Sequence, residues 1–228
     1  MTGIRARARA GLTEEIKSVA RRHLAEQGAV ALSLRAVARD VGMVSSAVYR
    51  YFGSRDELLT ALIVDAYDAV GDAAERADAS CRPADVRGRW LAVCRAVRSW
   101  AVANPHQYAL VYGSPVPGYE APPDTIDPAA RVSLVLLRIL TDGVATGALD
   151  DDRIETTRVT RSDLARLREL APGVPDGVLT RGMLAWVALF GSVSYELFGH
   201  LHGVITDYDA FFDLQMTRTG ELLLGSRL

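Results

Sequence analysis

Apolar residues recur at intervals of three and four along nearly the whole 228-residue chain, and no run of strict alternation lasts long enough for a sheet strand. That periodicity predicts an all-α protein. The length allows one large domain, or a small one joined to a medium one. With 49% apolar and 24% charged residues, 19 Gly and 9 Pro, the composition excludes a disordered, collagen-like or low-complexity chain and fits a soluble globular protein. Cys81 and Cys94 have no CxxC spacing. They are too few for a disulfide framework, argue against a structural zinc site, and fit a reducing compartment or simple burial.

Arg5, Arg7 and Arg9 stand where a signal peptide carries positive charge, but Thr13, Glu14, Glu15 and Lys17 follow instead of an apolar stretch. The expected location is cytoplasmic. The most apolar uncharged run, Gly182 to Tyr195, has 14 residues, short of the roughly 18 a membrane span requires, and reads as a buried helix. No membrane partner is expected.

The net charge of −2 hides a division. Residues 1–55 carry ten basic and four acidic side chains, a net of +6, which leaves −8 for residues 56–228. A basic end on an acidic body suits a protein with one end facing a polyanion, although a solvated helix face gives the same pattern.

Leu12, Ile16, Val19, Ala20 and Leu24 form one face of a first helix, with Thr13 as a possible cap and Gly28 as its stop. A short second helix follows Ser33, its apolar positions Leu34, Val37, Ala38 and Val41 ending at Gly42, and a third runs from about Val44 to Tyr51. Ser54-Arg55-Asp56-Glu57 is a capping box that opens a fourth helix running to about Asp78. Further helices are expected at about 84–103, 129–147, 177–202 and 207–224. Residues 113–128 hold five of the nine prolines and read as a loop, and 150–161 as a polar, flexible stretch.

Two short helices joined by a glycine turn, in a basic segment and braced by a preceding helix, describe a helix-turn-helix. The second would offer small residues, Ser45, Ser46 and Ala47, for close approach to base edges in a major groove, while Tyr49, Arg50 and Tyr51 reach phosphates or bases. Ser33 and Arg35, at the start of the preceding helix, join this set. Arg50 is the best specificity candidate because it alone offers a bidentate fork for guanine; the Tyr49 ring fits packing with a phosphate contact as well as base readout. Arg55, at the start of the fourth helix, adds a phosphate site.

The stretch Leu34–Leu59, LRAVARDVGMVSSAVYRYFGSRDELL, closely resembles the DNA-binding region of TetR-type transcriptional regulators, matching at Gly42, Tyr49, Phe52, Arg55, Glu57 and Leu58. The resemblance spans about residues 12–60. It implies a DNA-binding domain at 1–57, a ligand-binding and dimerisation domain at 58–228, and a phosphate contact at Arg55. One departure is Val44, where family members often carry a capping Ser or Thr; Ser45 or Ser46 could take over.

The resemblance further implies a homodimer paired through the helices at 177–202 and 207–224, with Gly199 and Gly203 allowing close approach. It also implies an inducer cavity for a small apolar or aromatic effector. Trp100, Tyr108, Tyr112, Trp186 and Phe190 are the candidate lining, with Glu196 or His200 as an orienting polar group; aromatic residues at helical spacing are also ordinary core. Glu196 and His200 stand at i, i+4 but lack a third ligand, so no metal is expected, and no cofactor. The expected function is a repressor released from a palindromic double-stranded DNA operator by a small molecule, with the fourth helix as lever. A carrier or enzyme that keeps the helix-turn-helix as scaffold is the alternative. Against an enzyme, no G-x-S-x-G, phosphate-loop, dinucleotide-binding or H-E-x-x-H pattern is present. A nonspecific architectural protein fails on the acidic body.

Overall fold

The structure, a computed structural model, describes residues 2–150 and 162–224. Among them are ten α-helices and no strand: α1 (Thr2–Gln27), α2 (Leu34–Val41), α3 (Ser45–Val48), α4 (Arg55–Ala79), α5 (Val86–Ala103), α6 (Pro105–Tyr112), α7 (Ile126–Ala145), α8 (Ala165–Leu170), α9 (Asp176–Leu197) and α10 (Tyr208–Leu224). The all-α expectation holds. The polar stretch expected at 150–161 lies outside the described residues beyond Asp150.

Several helix ends differ from expectation for local reasons. Thr13 does not cap α1: the alanines and arginines upstream are strong helix formers and carry the helix back to Thr2, so the Thr13 hydroxyl donates to the Arg9 carbonyl one turn earlier, at 2.9 Å. Residues 105–112 form a helix of their own because Pro105 sits at its first position, where the missing N–H costs nothing. Helix α9 stops at Leu197, five residues short, because Gly199 takes a left-handed φ of 79°. The Gly199 and His200 N–H groups close the end on the Glu196 and Tyr195 carbonyls, at 3.2 and 2.9 Å. Gly199 and Gly203 therefore belong to the turn after the helix and do not serve as close-approach points along it.

The chain divides into two compact units. Unit 1 comprises residues 1–68 and 104–129, and unit 2 residues 69–103 and 130–228. In unit 1 the inward face of α1 (Ile16, Ala20, Leu24) meets Leu34 and Val37 of α2, Val48 of α3, and Leu58, Leu59 and Leu62 of α4. Burial of each large side chain stabilises the unit by about 1.5–3 kcal/mol. Ion pairs seal the seams: Lys17 and Arg21 of α1 both reach Asp65 of α4, and buried His23 Nε2 lies 2.8 Å from the Asp40 carboxylate of α2. That hydrogen bond holds Asp40 below its ordinary pKa. Residues 104–129 join this unit because Tyr119 meets Thr60 at 2.9 Å, Tyr67 donates to the Val111 carbonyl at 3.1 Å, and Leu110, Val111 and Val116 pack on the same core.

Unit 2 is built around buried Trp90, whose indole N–H donates to the Met216 carbonyl at 2.8 Å while Gly220 lets α10 pass close to the ring. A buried charge network joins the end of α4 to α5 and α7: Arg89 donates to Asp78 at 2.6 Å, to Asp142 at 2.7 Å and to the Pro83 carbonyl at 3.0 Å, and Arg138 adds a second cation on Asp78. Burial alone would raise the Asp78 pKa, but the hydrogen bonds from Arg89 and Arg138 outweigh it and hold the carboxyl below its ordinary value. A second buried arginine, Arg181 of α9, donates to the Asp150 carbonyl through Nη2 and finds no partner for Nε or Nη1 among the described residues.

Helix α9 is long and apolar enough to cross a membrane by length and composition, with a mean hydropathy of 1.3 over its most apolar 18 residues. Its inner face, Val178, Ala185, Leu189 and Val193, is buried, as expected of a core helix. The opposite stripe is not: Leu184, Val187 and Tyr195 are about half exposed, and so are Leu214 and Leu222 of α10.

Candidate nucleic-acid interface

The turn between α2 and α3 is set by Gly42, left-handed at φ 77°, with its own N–H on the Arg39 carbonyl and that of Met43 on the Ala38 carbonyl. The chain then enters α3 through Val44, extended and 70% exposed. Neither serine takes over the cap: Ser45 and Ser46 occupy the first helical positions and no side chain caps the end. The α-helix proper is one turn, Ser45–Val48, and continues as tight turns to Phe52. Fully buried Val48 and nearly buried Phe52 pin it to the core. Pinning those two positions turns Ser46, Tyr49 and Arg50 outward, and all three are exposed.

Tyr51 is half buried, with the Arg9 guanidinium 5.0 Å above its ring and donating to the Arg50 carbonyl at 3.2 Å. The N-terminal extension of α1, which periodicity did not reveal, thus contacts the turns that follow α3. Beside it runs a groove lined by Ser33, Arg35, Tyr49, Gly53, Ser54 and Arg55. The capping box closes its far wall: the Ser54 hydroxyl accepts the Glu57 N–H at 3.1 Å and the Glu57 carboxylate accepts the Gly53 N–H at 2.7 Å.

Arg55 is hydrogen-bonded within unit 1. Its guanidinium donates to the Leu32 carbonyl at 3.1 Å, the Ala29 carbonyl at 2.8 Å and Asp56 at 3.1 Å. The turn after α1 exposes carbonyls that no helix satisfies, and Arg55 is the donor that reaches them, so it latches that turn to the start of α4. Exposed Arg35 lines the groove, and Arg50 is an exposed cation on α3's neighbouring turn.

The residues expected to line an effector cavity are divided between the two compact units. Tyr108, fully buried, and Tyr112 stack at 5.0 Å in unit 1, where burial pushes the Tyr112 phenol above its ordinary pKa. Trp100, Trp186, Phe190, Glu196 and His200 belong to unit 2. There Arg98 of α5 takes the Glu196 carboxylate at 2.7 and 2.8 Å. Beyond the Gly199 break His200 stacks on Tyr195, ring centres 5.0 Å apart, so the helical register that would pair Glu196 with His200 does not exist. Phe190 stacks behind Trp186 at 5.3 Å.

Of that set, Trp186 lines a cavity. The cavity has a volume of ≈ 130 Å³ and lies among α7, α8 and α9, where Leu140, Leu167, Leu179 and Met183 surround it and Ser133 is its polar wall. Sequence reasoning passed over these aliphatic residues because nothing in their spacing distinguishes a cavity wall from a filled core.

A short helix presented outward in front of a partner helix, in a basic segment, with a cation-flanked groove beside it, defines a helix-turn-helix DNA-binding protein. Residues 16–62 match the family described as bacterial regulatory proteins, tetR family, and residues 90–219 match the tetracyclin repressor-like C-terminal domain. The chain is 45% identical, over 93% of its length and 92% of theirs, to the HTH-type transcriptional regulators Rv1816 of Mycobacterium tuberculosis and Mb1846 of Mycobacterium bovis. The crystal structure of regulatory protein SCO4313 matches with a TM-score of 0.76 and 36% identity, over 94% of this chain and 97% of that one. The chain therefore belongs to the TetR family and is a DNA-binding transcriptional regulator.

Proposed function

We propose that the chain is a dimeric, ligand-responsive repressor that reads a palindromic operator through α3. The observation that carries this reading is the outward presentation of Ser46, Tyr49 and Arg50 on a helix fixed from behind by Val48 and Phe52. Arg50 supplies the fork for a guanine edge, Ser45 and Ser46 permit close approach, and Tyr49, Tyr51, Ser33 and Arg35 meet the backbone phosphates. Arg55 acts one step back, by holding the turn that carries Ser33.

The half-exposed stripe of Leu184, Val187 and Tyr195 on α9, with Leu214 and Leu222 on α10, supports pairing of two copies, because apolar side chains at helical spacing gain by leaving water together. A dimer places two reading helices on successive turns of the major groove, about 34–36 Å apart. An effector that prefers another spacing releases the operator with a coupling of about 1–3 kcal/mol. The protein then works as a cytoplasmic regulator and not as an enzyme.

Selection from a pool of random duplexes by the full-length chain tests this reading. Recovered sequences should converge on a two-fold symmetric site with half-sites about one helical turn, or a multiple of it, apart. Recovery of no common sequence, or of an asymmetric one bound by a single chain, would remove it.

A further inference from the structure

We infer that the cavity among α7, α8 and α9 is the effector site, and that its occupant is a neutral, single-ring aromatic compound bearing one hydroxyl-type group. This rests on the ligand-responsive reading above and gives it a location and a ligand class.

Size comes first. A cavity of ≈ 130 Å³ is close to the volume that holds a benzene-sized molecule when walled by aliphatic side chains. Fused rings or long acyl chains would extend past the exposed Met183 into water. Charge is next. Among the described residues the lining contains no charged side chain, so an ionised ligand would lose hydration there and find no counter-charge from them. The nearby cation on α9, Arg181, is buried elsewhere, with its Nη2 on the Asp150 carbonyl. Among the described residues the one polar wall group is the Ser133 hydroxyl, which can donate or accept a hydrogen bond.

Shape selects the aromatic ring over an alkyl group. Trp186 is held in place by Phe190 behind it, so the cavity already contains a fixed aromatic surface against which a planar ring stacks without ordering a mobile side chain. Gly182 keeps this wall close to α7, since a Cβ at that position would run into Leu140.

The same helix explains how occupancy is felt elsewhere. Leu179, Met183 and Trp186 face the cavity, while Leu184 and Val187 form the exposed stripe proposed for pairing. A ring wedged between α7 and α9 bears on one side of α9 and alters how the neighbouring side meets its partner copy.

The test uses the full-length chain with phenol, toluene, benzoate and benzylammonium as probes in calorimetric titrations. Phenol should bind saturably with one site per chain, toluene more weakly, and both charged probes at least about tenfold more weakly still. Ser133→Leu and Met183→Phe, which fill the cavity from different walls, should each weaken phenol at least about tenfold while leaving the melting temperature and ligand-free DNA binding unchanged. Saturating phenol should lower affinity for the selected duplex by about fivefold or more. Absence of saturable binding, equal binding of benzoate, phenol binding that survives both filled variants, or an unchanged DNA affinity would overturn the inference. A chain that bound phenol as described but no DNA sequence specifically would overturn the repressor reading and leave the cavity's occupant supported.

Discussion

The two compact units treat apolar and charged groups in opposite ways. Unit 1 turns its large apolar side chains inward and exposes isolated ones at turns, such as Val30 and Val44, while its ion pairs lie along the seams between helices. Unit 2 buries charge, with Arg89 and Asp78 almost wholly out of water, and leaves apolar side chains exposed in register along α9 and α10. A reading head needs a polar, basic surface on a rigid support. Under the proposed function the body pairs and binds an apolar ligand, which needs open apolar faces and tolerates buried ion pairs as fixed joints between helices.

The sharpest test of that contrast is the buried network. Arg89→Met leaves the Asp78 and Asp142 carboxylates without their shared cation and should cost about 3–5 kcal/mol in urea unfolding. The pH dependence follows with a definite sign. Because the folded pKa of Asp78 is depressed, its stabilisation is complete above the unfolded value near 3.9 and is lost as pH falls through the lower folded value. Asp78→Asn should flatten the stability loss below about pH 4; an unchanged acid limb would mean that other carboxylates govern it.

The exposed stripe comes second. Leu184→Glu together with Val187→Glu should turn the dimer into a monomer in sedimentation, at a cost on the order of 2 kcal/mol or more per site, with helical content retained. A dimer that survives both would move the interface elsewhere. On unit 1, Arg50→Ala should weaken binding to the selected duplex by about 1–3 kcal/mol and relax preference at one base position, leaving the dimer intact. Uniform weakening across all sequences would make Arg50 a phosphate contact instead.

Smaller effects separate satisfied groups from unsatisfied ones. Ser54→Ala removes the hydroxyl that accepts the Glu57 N–H and should cost about 1 kcal/mol of thermal stability. Arg181→Met should change stability by less than about 1 kcal/mol, in contrast to Arg89→Met, because Nε and Nη1 of Arg181 are buried without partners among the described residues. A large loss would show that this arginine contributes through its remaining bond to the Asp150 carbonyl.

Which of these features could be read in advance depended on how local their causes are. The turn at Gly42, the inward Leu34, Val37 and Val48, and the Ser54–Glu57 cap are decided within a few residues, and the sequence displays them. The early start of α1 was hidden because residues 5–10 alternate arginine and alanine and carry no apolar stripe. Arg55 could not be assigned from spacing, since its partners Ala29 and Leu32 lie more than twenty positions away. The placing of residues 104–129 in unit 1 rests on long-range contacts, such as Tyr119 with Thr60, that no periodicity announces. The cavity was least legible of all, because its walls are leucines that would look the same in a solid core.

The central claim is that α3 reads DNA sequence from a basic surface. A titration of the full-length chain against the selected duplex and an unrelated duplex of equal length, at two salt concentrations, tests it most directly. The account predicts tight binding of two chains to the selected site, at least about a thousandfold over the unrelated duplex, with affinity falling steeply as salt rises. Equal, weak binding to both duplexes would contradict it.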